Sequence, residues 1–82
     1  MKHFVYILKC ADDSLYTGYT TDVERRVIEH NGESKKLGAK YTQARRPVEV
    51  VFSKAFKTRS AATKYEAKVK KLSREEKLEL IS

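Results

Sequence analysis

Two short runs rich in β-branched and aromatic side chains, FVYIL at positions 4–8 and LYTGY at positions 15–19, decide the fold of this chain. The segment between them has the composition of a turn, so the runs predict an antiparallel hairpin with strands at residues 3–10 and 15–20. A helix carrying arginine follows at residues 22–30. The sequence therefore predicts two phenols, a glycine and a guanidinium within one compact unit.

The register of this hairpin decides whether the two tyrosines can act together. With a three-residue loop at positions 12–14, Tyr6 and Tyr16 share one face of the sheet. Gly18 then lies opposite Leu8, where its missing side chain leaves room for a ligand. The position facing Tyr6 is four residues from Tyr16 in this register, or about 13 Å along the strand. A four-residue loop would instead place the tyrosines on opposite faces.

The first helix has a clear start and two distinct polar faces. Thr21 and Glu24 have the spacing of a capping box. Arg26 and His30 are four residues apart and project from one side of the helix, beside an apolar stripe. Arg25 lies one position round the helix and is expected to face solvent. One arginine is therefore predicted to point toward the hairpin and the other away from it.

The remainder of the chain predicts one more strand and two helices. A strand is expected at residues 48–56, with a helix at residues 58–72 after it. Ser73 and Glu76 form a second capping-box pattern, which predicts a short last helix. In the third strand we expect Val48, Val50 and Phe52 to alternate with Glu49, Val51 and Ser53. The predicted fold class is α+β, a small three-stranded antiparallel sheet flanked by helices in the order β-β-α-β-α-α, as a single domain over residues 1–82.

Composition limits the classes of function. The 82 residues include 18 Lys and Arg against 11 Asp and Glu, a formal net charge of +7, which favours a polyanionic partner. A basic surface with no role in binding nucleic acid is the alternative. The single cysteine, Cys10, excludes an internal disulfide and fits a small core residue. No stretch is apolar enough for the ~20 residues of a membrane span, and the expected location is the cytoplasm.

A basic segment separates the first helix from the third strand. Residues 33–46 contain five cations and no acid after Glu33, so we expect a loop that contacts nucleic acid. Gly18 and Tyr19 adjoin the same predicted unit. The candidate nucleic-acid-binding residues are Gly18, Tyr19, Lys35, Lys36, Lys40, Arg45 and Arg46.

Five side chains have the chemistry that phosphodiester cleavage needs. Tyr6 or Tyr16 can orient or deprotonate water, although a phenol with an ordinary pKa of about 10 needs a nearby cation to act as a base. Arg26 offers a permanent charge that matches a phosphate, and His30 can take a proton or form a hydrogen bond with a phenol. Glu66 is the candidate metal ligand, because apolar neighbours on its helix face predict partial burial.

Each of these side chains also fits a purely structural role. The tyrosines can be core residues with their hydroxyls at the surface, and Arg26 and His30 an ordinary polar helix face. Glu66 can simply pair with Lys70. Composition alone would support only a nucleic-acid-binding protein.

The order and spacing of these residues resemble the GIY-YIG nuclease domain, in its small bacterial branch of the UPF0213 type. FVY at positions 4–6 stands where the family has GIY, and YTG at positions 16–18 stands for YIG. Arg26 follows ten residues after Tyr16, at the place of the family's catalytic arginine, and His30 follows in an EH pair. Glu66 matches the metal-binding glutamate. The resemblance covers essentially the whole chain.

The resemblance implies a magnesium-dependent endonuclease that cleaves DNA, with a single Mg²⁺ or Mn²⁺ ion bound by Glu66. It implies catalytic roles for Tyr6, Tyr16, Arg26 and His30, and we assign Tyr6 as the base and Tyr16 as its hydrogen-bonding or water-positioning partner. Phe4 departs from the glycine of the first motif, and no counterpart is found for a late asparagine of some members. The alternative is a non-catalytic nucleic-acid-binding module with the same fold. A protein partner can supply substrate choice, and the expected state is a monomer or weak dimer.

Overall fold

The computed structural model describes residues 2–31 and 46–82. Within these ranges the chain forms three strands and three helices in the predicted order, and the α+β fold class is confirmed. The elements are β1 (His3–Lys9), β2 (Leu15–Thr20), α1 (Val23–Asn31), β3 (Glu49–Phe56), α2 (Arg59–Lys70) and α3 (Arg74–Ile81). None of the helices in the described ranges is long and apolar enough to cross a membrane.

Strand β1 is the centre of the molecule. It pairs antiparallel with β2 on one side and with β3 on the other. Its four central side chains are fully buried: Val5, Tyr6, Ile7 and Leu8. Successive strand residues point to opposite faces, so both faces of β1 must be covered. Helix α1 covers the Tyr6 face, where Val27 packs against the core, and α2 covers the other face, where Tyr65 packs against Phe56.

The hairpin loop has the predicted length, but its predicted position was wrong by one residue. The loop is residues 11–13, because the Cys10 N–H donates to the Ser14 carbonyl at 2.9 Å. Asp13 has a φ of 66°, the left-handed conformation that closes a three-residue hairpin loop. The Asp12 carboxylate accepts the Ser14 N–H at 3.1 Å and fixes the turn locally.

This displacement moves the strand register by two residues. Tyr6 therefore faces Gly18, and Leu8 faces Tyr16, where Gly18 was expected opposite Leu8. A shift of two positions keeps every side chain on its face, so the prediction that Tyr6, Tyr16 and Gly18 share a face is confirmed. The position facing Tyr6 is two residues from Tyr16, about 7 Å along the strand instead of about 13 Å.

Strand β3 begins at Glu49 and contains a bulge that the sequence pattern did not reveal. Phe52 pairs with Ile7, whereas Val50 pairs with Leu8, so Val51 is an extra residue in β3. Val50 and Phe52 consequently lie on opposite faces of the sheet. The predicted alternation through Val48, Val50 and Phe52 was therefore wrong, because it assumed an unbroken strand.

Helix α1 begins one residue later than predicted and uses a different cap. The Asp22 carboxylate accepts the Arg25 N–H at 3.1 Å, so Asp22 is the N-cap residue in place of the Thr21 and Glu24 box. The Thr20 hydroxyl accepts the Asp22 N–H at 3.1 Å and holds the cap in place. The chain thus passes from β2 into α1 within two residues.

The other two helices begin at side-chain caps. In α2 the Thr58 hydroxyl accepts the Ala61 N–H at 3.1 Å. In α3 the predicted capping box is confirmed, since the Ser73 hydroxyl accepts the Glu76 N–H at 3.2 Å and the Glu76 carboxylate accepts the Ser73 N–H at 3.0 Å.

Asn31 joins the end of α1 to the chain entering β3. Its side-chain amide donates to the Val48 carbonyl at 2.9 Å, and its side-chain oxygen accepts the Val48 N–H at 2.7 Å. The Asn31 side chain thus donates to and accepts from the backbone of one residue, as the backbone of a neighbouring strand would. These two bonds fix α1 over the face of the sheet that carries Tyr6.

Candidate active site

The buried hydroxyl of Tyr6 is the centre of a polar cluster between the sheet and α1. It lies 3.1 Å from His30 Nε2 and also forms a hydrogen bond with Arg26. The phenol lies across Gly18 in the neighbouring strand, and a Cβ at that position would overlap Tyr6 Oη. The absence of a side chain at Gly18 therefore makes room for the phenol, and the prediction that this space is left for a ligand was wrong because Tyr6 fills it.

The direction of these hydrogen bonds follows from which groups can accept. A guanidinium only donates, so the Tyr6 oxygen accepts from Arg26. The Tyr6 O–H donates to His30 Nε2 when the His30 proton is on Nδ1, the tautomer that gives this buried hydroxyl hydrogen an acceptor. In this arrangement the His30 proton resides on Nδ1, and the imidazole is neutral.

The surroundings of His30 keep it neutral. The side chain is almost completely buried, at 1% exposure. Burial and then the positive charge of Arg26 lower the pKa of His30 to about 4. At neutral pH His30 is therefore a hydrogen-bond acceptor for Tyr6 and carries no charge.

The surroundings of Tyr6 keep it protonated. Burial raises the pKa of the Tyr6 phenol to about 12, and the neighbouring Tyr16 and Glu66 add to this shift. The hydrogen bond and positive charge of Arg26 oppose the shift without cancelling it. In the site as it stands, Tyr6 is a hydrogen-bond donor at neutral pH and needs more positive charge nearby to lose its proton.

Arg26 is held by a carboxylate that sequence reasoning did not single out. Its Nη1 donates to Glu29 Oε1 at 2.9 Å, and 28% of the Arg26 side chain is exposed. Burial lowers the pKa of Arg26, but its hydrogen bonds to Glu29 and Tyr6 outweigh this and raise it. Arg25 is 66% exposed and lies 3.7 Å from the same carboxylate, so the predicted inward and outward arginines are confirmed. The three-residue spacing between Arg26 and Glu29 was the available signal for this pair.

Tyr16 completes the aromatic side of the cluster. Its ring centre is 5.3 Å from that of His30, and the two planes meet at 62°, an edge-to-face contact. The Tyr16 side chain is only partly buried, in contrast to Tyr6. Tyr16 is therefore the tyrosine of this pair that solvent can reach.

Glu66 approaches the cluster from α2. Its negative charge adds to the raised pKa of the Tyr6 phenol, after the larger effect of burial. The side chain is 19% exposed and forms an ion pair with Lys70 at 3.2 Å, so both the predicted partial burial and the alternative pairing with Lys70 are present.

The Glu66 carboxylate fits a hydrated divalent ion better than a metal held by several protein ligands. Within residues 2–31 and 46–82 there is no group of three or more His, Cys, Asp or Glu side chains that could hold a metal together. Mg²⁺ commonly binds one or two carboxylates and completes its shell with water and phosphate oxygens. A single carboxylate such as Glu66 fits that kind of site.

The predicted nucleic-acid contacts do not all fall in one place. Gly18 underlies Tyr6, whereas Tyr19 points to the opposite face of β2, where its hydroxyl lies 2.7 Å from His3 Nδ1. Arg46 precedes β3 and is partly buried. The other four predicted contacts lie outside the described residues: Lys35, Lys36, Lys40 and Arg45.

Comparison with known proteins gives one consistent result. The profile of the GIY-YIG catalytic domain matches residues 2–79. A UPF0213 protein of Staphylococcus saprophyticus is 53% identical over 81 residues, covering 99% of this chain and 95% of that protein. A UPF0213 protein of Haloquadratum walsbyi is 56% identical over 78 residues, covering 95% and 84% of the two chains.

Two solution structures share the fold. A UPF0213 protein of Bacillus halodurans has 48% sequence identity and a TM-score of 0.62, covering 99% of this chain and 83% of that one. A protein of E. faecalis has 46% identity and a TM-score of 0.66 over the same shares. The nuclease-like fold predicted from the motif spacing is confirmed.

Proposed function

This chain belongs to the GIY-YIG catalytic domain family, and on that premise we propose that it is a divalent-metal-dependent endonuclease that cleaves DNA. The observation that carries the proposal is the Tyr6 hydroxyl bonded to Arg26 and His30, with Tyr16 beside them. A fixed positive charge next to ordered phenols is suited to a reaction in which negative charge builds on a phosphate.

Arg26 is the group assigned to stabilise the transition state. Its contacts with Glu29 and Tyr6 fix the guanidinium before any substrate arrives, while 28% of the side chain stays open to solvent. A guanidinium can donate two parallel hydrogen bonds to phosphate oxygens. Preorganised donors of this kind stabilise the charged transition state without further rearrangement.

The burial of Tyr6 favours a different role for this residue from that of a base, whereas the water-positioning role of Tyr16 is kept. Tyr6 is 1% exposed and holds its proton, so we assign it to positioning Arg26 and His30. Tyr16 can reach solvent, so we assign it to orienting the attacking water. The water oxygen bonds to phosphorus, the bond from phosphorus to the leaving oxygen breaks, and the proton released by water is returned to the leaving oxygen through solvent.

Glu66 is the residue proposed to hold the metal ion. A bound divalent ion would supply Lewis-acid polarisation of a phosphoryl oxygen. The partly buried carboxylate has the right chemistry, and the ion would replace Lys70 as its positive partner. The negative charge of Glu66 contributes to the raised pKa of Tyr6, which supports assigning the ion to this carboxylate.

A nicking assay with two matched pairs of variants tests the proposal. The substrates are branched, flapped and single-stranded DNA, each with Mg²⁺ and with Mn²⁺. Arg26→Gln and Glu66→Gln are expected to lower the cleavage rate by at least about 100-fold. Arg25→Gln and Glu79→Gln change charge equally at exposed helix positions and are expected to cut normally. Wild-type cutting by both Arg26→Gln and Glu66→Gln would show that the proposal is wrong.

A non-catalytic nucleic-acid-binding module is the second candidate function. The raised pKa of Tyr6 and the pairing of Glu66 with Lys70 favour it, since Tyr6 keeps its proton and Glu66 is already paired with a cation. This candidate predicts salt-sensitive DNA binding with no cleavage under either metal. The same assay therefore separates the two, and cleavage that needs an added protein would indicate that a partner selects the substrate.

A further inference from the structure

A row of four aromatic rings crosses one end of the sheet, on the face opposite to Tyr6. Tyr65 of α2 packs on Phe56 of β3 with ring centres 5.2 Å apart. Phe56 is the strand partner of His3, and His3 stacks on Tyr19 of β2 at 5.9 Å with planes 14° apart. We call these four rings, together with Lys54 and Arg59, the ring-and-cation surface.

Cations lie over both ends of the row. Lys54 Nζ is 5.0 Å from the centre of the Tyr65 ring, and the Arg59 guanidinium is 5.9 Å from that of Tyr19. All four rings are partly exposed, and both cations are exposed. Interactions between exposed cations and rings are weak, so a ligand can displace the cations and take their place on the rings.

Cations predominate in the segment that carries Phe56, Arg59 and Tyr65. Residues 50–65 contain four cations and no acid, namely Lys54, Lys57, Arg59 and Lys64. Strands β1 and β2 also contain no acidic residue. This local excess of positive charge favours binding of an anion.

The combination of exposed rings and cations selects one class of nucleic acid. Bases in a duplex are stacked on each other and present only their edges, whereas unpaired bases can stack on protein rings. We propose that the ring-and-cation surface binds a single-stranded segment of DNA, with bases stacked on Tyr19 and Tyr65 and phosphates bound by Arg59 and Lys54.

The position of the surface connects it with the candidate active site, and this connection rests on the proposed function. Tyr19 follows Gly18 in β2, which is an edge strand. Arg59 and Glu66 are seven residues, or two turns, apart in α2, which puts them on one side of the helix about 10 Å apart. That distance is about three nucleotide steps of a stacked strand. A DNA with an unpaired segment beside the cleaved bond is therefore the substrate class this surface fits.

Two arginines at equivalent helix positions provide a matched test of the charge contribution. Arg59 and Arg74 are the first residues of α2 and α3, and both are exposed. Binding of a single-stranded oligonucleotide is measured by fluorescence anisotropy in EDTA, over a series of salt concentrations. Arg59→Gln is expected to reduce the slope of log affinity against log salt by about 0.7. Arg74→Gln is expected to leave the slope unchanged.

Two substitutions of one tyrosine test the stacking contribution. Tyr19→Phe keeps the ring and removes only the hydrogen bond to His3, so its affinity is expected to match the wild type. Tyr19→Leu removes the ring and is expected to weaken binding about fivefold or more. If Tyr19→Leu does not fold by circular dichroism, Tyr65→Leu replaces it, with Tyr65→Phe as its control.

The expected outcome also includes tighter binding of the single strand than of a duplex of the same sequence. Equal binding of both, equal effects of Arg59→Gln and Arg74→Gln, or equal affinities of the Tyr19 variants would overturn the inference. Cleavage is measured separately. If the wild-type protein never cuts DNA and Tyr19→Leu weakens binding, this inference stands and the proposed function is refuted. If the wild-type protein cuts DNA and Tyr19→Leu binds normally, the proposed function stands and this inference is refuted.

Discussion

At the scale of single residues, the Tyr6 hydroxyl sets the properties of the site. It accepts from one charged donor, Arg26, and donates to a neutral acceptor, His30. Burial disfavours both a phenolate and an imidazolium here, so the pKa of Tyr6 rises while that of His30 falls. The pair is neutral over a wide range of pH, and among residues 2–31 and 46–82 the permanent charge that contacts Tyr6 is the Arg26 guanidinium.

The lowered pKa of His30 predicts a loss of stability in mild acid. In the folded protein this pKa is about 4, below the ordinary value of 6.5. Between these values the unfolded chain binds the proton first, so the full contribution is present above pH 6.5 and is lost as pH falls toward 4. The free energy of unfolding is expected to drop by about 2 kcal/mol between pH 7 and pH 4.5 from this residue.

Urea unfolding followed by circular dichroism measures this drop, since the chain contains no tryptophan. His30→Gln keeps an acceptor for Tyr6 but does not titrate, so its stability should depend less on pH by the same amount. An equal dependence on pH in the two proteins would contradict the assignment to His30.

At the scale of elements, the site depends on how α1 is placed over β1. Asp22 fixes the start of the helix, and Asn31 fixes its end to the backbone at Val48. Arg26 and His30 lie between these two attachments on one side of α1. These two attachments together therefore determine how far the guanidinium and the imidazole reach toward Tyr6.

Removal of the Asn31 side chain is expected to loosen this attachment. Asn31→Ala leaves the buried Val48 N–H without its partner, and the expected loss of stability is about 2 kcal/mol. The amide of Val48 should also lose protection in hydrogen exchange. Ser73→Ala is the control, because it removes a cap from α3 at a cost of about 1 kcal/mol without touching α1. Continued protection of Val48 in Asn31→Ala would contradict the structural role given to this side chain.

At the scale of the whole molecule, charge has opposite effects on folding and on binding. A net charge of +7 on 82 residues repels itself in the compact state and attracts a polyanion. Salt screens both interactions. The same ions should therefore stabilise the fold and weaken binding to nucleic acid.

Thermal unfolding over a range of sodium chloride concentrations tests the folding part of this expectation. The melting temperature is expected to rise by several degrees between about 20 mM and about 300 mM salt, as the Debye length shortens several-fold. The double variant Lys68→Gln, Lys71→Gln removes two exposed cations and lowers the net charge from +7 to +5. Its melting temperature should rise less with salt, and an identical rise would show that self-repulsion is not the cause.

The sequence by itself determined the order of the elements, the shared face of Tyr6, Tyr16 and Gly18, and the inward direction of Arg26. These features follow from short-range rules, because strand alternation, helix periodicity and caps act over a few residues. An error of one residue in the loop did not disturb them, since it moved the register by two positions. The β3 bulge has no such local signal and was missed.

Only the tertiary structure decided which partners the site residues have. Tyr6 and His30 are 24 residues apart in sequence, and their hydrogen bond depends on α1 packing over the sheet. The burial that raises the pKa of Tyr6, the approach of Glu66 from α2, and the alignment of His3, Tyr19 and Phe56 across three strands arise in the same way. The physical reason is that burial and electrostatic coupling are set by the packing of distant elements, which no local pattern of residues specifies.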